Sequence, residues 1–487
     1  MDLKRKHIKG YSFKKPDIVQ LRELGALVPY PDTFREKYGE LLGILNTDVD
    51  EGALKTLVRF YDPVYHCFTF VDYQFVPTLE EYSYWMGLPI SNKVPYTGLE
   101  AFPTPAVIAK ALHLKTVDIE SNFAKKGGLQ GMTSKFLLGK ASTLAKEGNV
   151  VAFEAILALL IYGLVLFPNI DYFVDSHAIQ IFLGKNPVPT LLADTYHYIH
   201  HRTQKGDGLI ICCAPLLYRW FLSHLPRAIR FKEDPDSLYW SQRITPLTAS
   251  DIIWYNPDYD TGTIIDSCGE FSNVPLLGIR GGITYNPILA RRQFEYPMKD
   301  RPRSIFLTSI YYLNVEGSQP TREEFARAWH KVHKKGRDQL GRKLGTVSED
   351  YTKWVMSRAV ERGMPYSLEK SSCPVGGSSF ATPPAVIPFQ TVEEFQELLT
   401  RIRLEKDAWE KKYHEVETEN KELKEKVKEQ QSVIARQDGL LRDKEDMIKA
   451  KDARLRQDDK RKKKQVDFFS SGFDPDFDEP PTTRART

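Results

Sequence analysis

Cysteine is scarce in this chain and irregularly placed. Cys67, Cys212, Cys213, Cys268 and Cys373 make an odd number in 487 residues, and no CxxC pair occurs. Disulfide frameworks are excluded, and structural zinc modules, whose ligands come in close pairs, are argued against. Free, mostly buried thiols in a reducing compartment are expected. Membrane-length apolar runs are missing too. The uncharged run over 155–167 lies between Glu154 and Pro168. As a helix it reaches about 20 Å, short of a hydrocarbon core of roughly 30 Å. A central buried helix of a soluble domain is expected, with no membrane partner. Charge imbalance is small: Lys plus Arg is 68 and Asp plus Glu 64, a net +4. Net charge therefore does not mark a nucleic-acid binder, and local charge must decide. Met1-Asp2-Leu3-Lys4-Arg5-Lys6-His7 has no apolar stretch behind it, so no secretory signal is expected.

Hydrophobic residues make up 41%, enough for a folded protein. Thr78-Leu79-Glu80-Glu81 reads as a capping box that opens a helix, which Gly87 and Pro89 close. Aromatic residues over 65–75 predict a short hairpin. Helices are expected over 105–114, 134–146, 150–167, 190–202, 209–225, 321–334 and 348–362. A second capping box is expected from Thr321 to Glu324. Residues 232–300 read as irregular structure with a few short strands. The fold class is mainly α: a helical globular domain with minor strands over 1–365. A Ser/Pro/Gly-rich linker follows over 366–390, then a coiled coil over 391–457, then a basic cluster and a disordered acidic-aromatic tail over 458–487.

The coiled coil rests on a heptad repeat kept over 395–455, weaker in its C-terminal half, where the d residues Gln430, Gln437, Lys444 and Lys451 are polar and Gly439 favours fraying or bending. Apolar a positions are Leu399, Tyr413, Val427, Ile434, Leu441, Ile448 and Leu455; apolar d positions are Phe395, Ile402, Trp409, Val416 and Leu423. Asn420 at an a position fixes register, and the β-branched a residues suit a parallel dimer. A homodimer is the expected state. Lys460, Arg461, Lys462, Lys463 and Lys464 read as a nuclear import signal or a nucleic-acid contact.

Other constellations carry less chemistry. Asp260-Thr261-Gly262 has the tripeptide of retroviral-type aspartic proteases, but Asn256-Pro257-Asp258-Tyr259 before it is turn chemistry, so a loop is expected. His197, His200 and His201 with Cys212 and Cys213 invite a zinc reading, yet adjacent cysteines in an apolar segment lack zinc spacing. Asp175-Ser176-His177 is consecutive, and neighbours on one element do not face one another. Gly278-Ile279-Arg280-Gly281-Gly282 has neither GxGxxG nor a P-loop Lys-Ser/Thr. No catalytic, cofactor or metal residue is assigned, and an enzyme is not expected.

The segment Phe75-Val76-Pro77-Thr78-Leu79-Glu80-Glu81-Tyr82 with Met86-Gly87-Leu88-Pro89 resembles the plant mobile domain family, also called aminotransferase-like. Met86 stands where that family has Leu. Leu166-Phe167-Pro168-Asn169 and the Leu217/Trp220 helix are similar to its later motifs. Trp354, Arg358, Ala359, Gly363, Met364, Pro365 and Tyr366 resemble the end of a legume-expanded branch whose domain is of unknown function and is followed by a coiled coil. The resemblance implies a protein-interaction scaffold, transposable-element-derived or linked to silencing and genome maintenance, with nuclear protein partners. It supplies no catalytic residues. The expected location is the nucleus, with the cytoplasm as alternative. Rival readings are a nucleic-acid-binding protein using its basic clusters, Arg291-Arg292 and 299–303 among them, and a degenerate or cryptic enzyme.

Overall fold

The apolar run over 150–167 becomes the centre of the first of two compact units, Met1–Ser372 and Cys373–Thr487. The computed structural model describes residues 10–90, 93–226, 239–259, 262–271, 273–285, 287–298, 310–312, 318–363 and 365, and in the second unit 418, 425–426, 429–433 and 436–463. Asn149 caps the central helix, its Oδ1 accepting from the Ala152 amide at 3.3 Å, and every residue from Ala152 to Ile161 is buried. The expected single helix changes pitch near its end: Val150–Ile161 is α-helical and Tyr162–Leu166 forms a π turn. The widened turn brings Gly163 against the strand Phe173–Asp175. A Cβ there would lie 2.7 Å from both methyls of Val174, so only glycine allows the approach.

Around this centre pack Val19–Gly25, Leu41–Leu45, Pro105–Leu112, Ser134–Lys146 and Ser176–Gly184. A second group gathers on Leu79–Met86, against which Val188–Lys205 and Ala214–His224 are laid. Thr78 forms the expected capping box with Glu81, and Gly87 closes the helix in the left-handed conformation (φ 61°). The expected hairpin is also present: Tyr61–Asp62, Cys67–Thr69 and Gln74–Phe75 make an antiparallel sheet with Phe68 opposite Phe75. Its rings stack into the core, Phe75 on Trp220 at 5.1 Å.

Two expected helices are corrected. That over 209–225 starts at Ala214, with Pro215 in its first turn, because Gly208–Ile210 is a strand paired in parallel with Tyr11–Phe13. The helix expected over 321–334 runs Ser318–Trp329, so Thr321 lies inside it and not at its cap. Beyond it Val332–Gly336 is a strand, whose backbone pairs with Thr263–Cys268. The region over 232–300 holds Thr263–Cys268, Val274–Leu277 and Gly281–Tyr285 as strands and, in addition, the helices Trp240–Ile244 and Ile288–Gln293.

The last helix of this unit, Glu349–Arg362, returns to its beginning. Arg358 donates from Nε and Nη2 to the fully buried Asp62 carboxylate at 2.8 and 3.0 Å, and Arg362 adds a third bond at 3.3 Å. In the second unit, residues 429–433 and 436–463 are helical. This helix passes the expected boundary at 457, so the basic residues through Lys463 stand on it. Lys and Arg are good helix formers, and cations suit a helix C-terminus.

Candidate functional site

The Thr78–Glu81 motif is spent on holding the fold together. Glu81 is fully buried, and its carboxylate accepts from the Thr78 amide (3.1 Å), the Thr78 hydroxyl (2.9 Å), Trp220 Nε1 (2.9 Å) and Gln293 Nε2 (2.9 Å). His224 Nε2 lies 3.0 Å from its Oε1. The other ring nitrogen, Nδ1, faces the Ile253 carbonyl at 2.7 Å and must donate to it. A second proton is therefore shared between His224 and Glu81, as an ion pair or as a neutral ring beside a carboxylic acid. Gln293 is itself locked, bonding the amide and carbonyl of Val76 at 2.9 and 2.7 Å. These bonds tie Leu79–Met86, Ala214–His224, Ile288–Gln293 and the strand Gln74–Phe75 to one carboxylate away from solvent. Glu80 beside it accepts from the Ile265 amide at 2.8 Å, and burial pushes its carboxyl up to about 7.

The histidines and cysteines of the zinc reading are packed rings and thiols. His197 and His200 are buried, and burial holds them at about 4 and about 3. His66 Nδ1 donates to the Thr284 carbonyl at 2.9 Å and its ring meets His200 edge-on at 4.8 Å. Burial pushes the Cys212 thiol up and that of Cys213 to about 12. Among the described residues no group of three His, Cys, Asp or Glu is placed to hold a metal ion.

Asp175 caps the helix Ser176–Gly184, accepting from the His177 and Ala178 amides at 3.0 and 3.1 Å. The His177 ring turns instead to the Tyr96 hydroxyl. Of residues 278–282, Gly278, Ile279 and Arg280 form the turn between Val274–Leu277 and Gly281–Tyr285, held by an Ile279 amide bond to Asp194 at 2.8 Å, and Gly281 and Gly282 begin the second strand. Asp260 and Thr261 lie outside the described residues, as do 299–303. Arg291 and Arg292 are committed internally: Arg291 bonds Asp266 at 3.1 Å, and the buried Arg292 guanidinium lies 3.7 Å over the Trp254 ring.

An open groove of about 440 Å³ lies between the loop over 93–103 and the helix Ser176–Gly184. Val94, Pro103, Val107 and Ile181 give it apolar walls. Gln180 holds the loop by donating to the Glu100 carbonyl at 3.0 Å, and Asn186 by donating to that of Lys93 at 3.1 Å.

In the second unit, Leu441, Ile448 and Leu455 are 58–63% exposed. Val433, Leu440 and Met447, one residue ahead in the heptad, are also exposed. The apolar face is thus two positions wide, g beside a. The sequence reading missed g, although the same seven-residue repeat, started one residue earlier, marks it. Lys460, Arg461, Lys462 and Lys463 are exposed on the end of this helix. Phe395, Leu399, Ile402, Trp409, Tyr413, Val416, Asn420, Leu423, Val427, Ile434 and Lys464 lie outside the described residues, as does the linker over 366–390.

No curated protein matches the chain, and no solved structure does. A family model does: residues 21–360 match that of a domain of unknown function, DUF7745. The match takes in the capping-box motif and its partners Trp220, His224 and Gln293, more than two thirds of the chain in all. The chain belongs to the DUF7745 family of domains of unknown function.

Proposed function

We propose that this is a non-enzymatic interaction protein of plant mobile domain type, which presents its globular module in pairs through a C-terminal coiled coil. What supports pairing is the two-position apolar face on the helix over 436–463. Side chains of this size, exposed at a seven-residue repeat, are stabilised by packing against a second helix. The polar atoms of the family motif support a scaffold, because they bond one another inside the core. Two modules on one coil act through a raised effective concentration, so weak contacts at each add up. The basic run from Lys460 to Lys464 supports nuclear import, and the likeness to the plant mobile domain supports an origin in a transposable element or a role in silencing.

Light scattering on the full chain tests pairing. The expected mass is twice 56.0 kDa, falling to 56.0 kDa when Leu441→Asp, Ile448→Asp and Leu455→Asp are combined. A single-chain mass for the unsubstituted protein at tens of micromolar (on the order of usual assay concentrations) overturns the proposal. For import, replacing the five basic residues by Gln is expected to move a fluorescent fusion from the nucleus to the cytoplasm.

A further inference from the structure

One short ribbon of the globular unit carries more net positive charge than the whole chain. Between 327 and 343 the sequence holds Arg327, Lys331, Lys334, Lys335, Arg337, Arg342 and Lys343 against one acid, Asp338. Its net +6 exceeds the +4 of the whole chain, so the remainder is slightly acidic. Polyanions respond to such local density and not to the total.

The backbone orders this segment as the strand Val332–Gly336 and the short helix Arg337–Leu340. Val332–Gly336 pairs antiparallel with Thr263–Cys268, Val332 opposite Cys268 and Gly336 opposite Thr263. Successive side chains on a strand point to opposite faces, yet His333 and Lys334 are both exposed. Among the described residues the sheet has only these two strands, and opposite these residues the partner strand bulges, with Asp266 skipped between Ile265 and Ser267. Beneath the ribbon, Asp266 bonds both Lys335 (2.8 Å) and Arg291 (3.1 Å), two cations to one carboxylate. The turn that follows is pinned as well: the Leu344 and Gly345 amides donate to the Glu295 carbonyl at 3.0 and 2.8 Å, and Lys343 Nζ sits 4.0 Å over the Tyr255 ring. Lys331, Lys334, Arg337 and Arg342 are therefore exposed on backbone that is already ordered, which lowers the entropy lost on binding.

We propose that this ribbon binds the sugar–phosphate backbone of nucleic acid without reading its sequence. A cluster of exposed cations on one short segment suits a polymer that presents one phosphate about every 3.4 Å along each strand. Among the described residues of 327–344, Leu344 is the one large exposed apolar side chain, where a membrane-seated element needs a whole apolar face. The site is independent of the C-terminal basic run and of pairing through the coil.

The test is fluorescence anisotropy of the full chain with labelled single-stranded and duplex DNA between 50 and 200 mM salt. Affinity is expected to fall with salt. The combined variant Lys331→Glu, Lys334→Glu, Arg337→Glu, Arg342→Glu is expected to weaken binding at least about tenfold and to lower the salt slope by roughly 3–4. The same four positions changed to Gln, a gentler substitution, are expected to give a smaller loss in the same direction. Neutralising 460–464 alone is expected to leave ribbon-dependent binding in place. Absence of binding at 50 mM salt, a loss confined to the 460–464 variant, or tighter binding to anionic vesicles than to DNA each overturns the proposal. Light scattering on the same samples reads pairing separately, so failure of one idea does not count against the other.

Discussion

Glu81→Leu is expected to bring the globular unit close to unfolding. The substitution removes the acceptor for His224, Trp220, Gln293 and the Thr78 amide at once, and all of them are buried. Removing one partner of a buried pair costs about 3–5 kcal/mol, and each further orphaned donor about 1–3 kcal/mol. A domain stable by about 5–15 kcal/mol has little left after that. Urea melts of the wild type, Glu81→Leu, Gln293→Leu and the double variant form a cycle. The double variant is expected to lose much less than the sum of the singles, because both act on one network. A melt of Glu81→Leu that coincides with the wild type would mean the carboxylate ties nothing together.

Stability is expected to peak near pH 6.5–7 and to fall on both sides. Burial holds His66 and His197 at about 4 and His200 at about 3, against an ordinary 6.5. Below 6.5 the unfolded chain takes up protons there that the folded one refuses, so stability is lost as pH falls. Burial pushes Glu80 and Asp194 up to about 7, from 4.5 and 3.8. The folded form keeps those protons while the unfolded form releases them, so stability is lost as pH rises through this window and is not regained above 7. Three imidazoles outweigh two carboxyls between 4.5 and 6.5, giving a shallow acid slope. Below about 4.5 the unfolded carboxyls regain their protons, but folded His66 and His197 take up theirs near 4, so the acid slope stays shallow, about 1–2 kcal/mol per pH unit. Glu80→Gln separates the two arms: it should gain up to about 3 kcal/mol over the wild type at pH 8 and little at pH 4.5. An equal gain at both pH values would show that repacking, and not ionisation, is being measured.

Much of the local structure could be read from the sequence. The Thr78 capping box, the hairpin around 65–75 and the helix Ser134–Lys146 follow from residues within a few positions of one another. What could not be read depends on distant partners. Tyr11–Phe13 becomes a strand because Gly208–Ile210 lies beside it, and nothing near residue 11 announces that. Glu81 could be seen as a cap, but its bonds to Trp220, His224 and Gln293 span more than a hundred residues. The basic ribbon is a different case. Its charges could be counted from the start, yet a helical reading of 321–334 put Lys331 and Lys334 on a helix, whereas the helix ends at Trp329 and Lys334 and Lys335 stand on a strand.

The bond from Arg358 back to Asp62 has a consequence for synthesis. The two residues are 296 positions apart. At about 5–20 residues per second, a ribosome takes roughly 15–60 s to supply the guanidinium after the carboxylate has been made. During that interval an acid destined for the interior has no counter-ion, and its neighbourhood cannot close. The Asp62 pocket therefore closes only after Glu349–Arg362 has been made, so this part of the unit is completed after synthesis of nearly all of it.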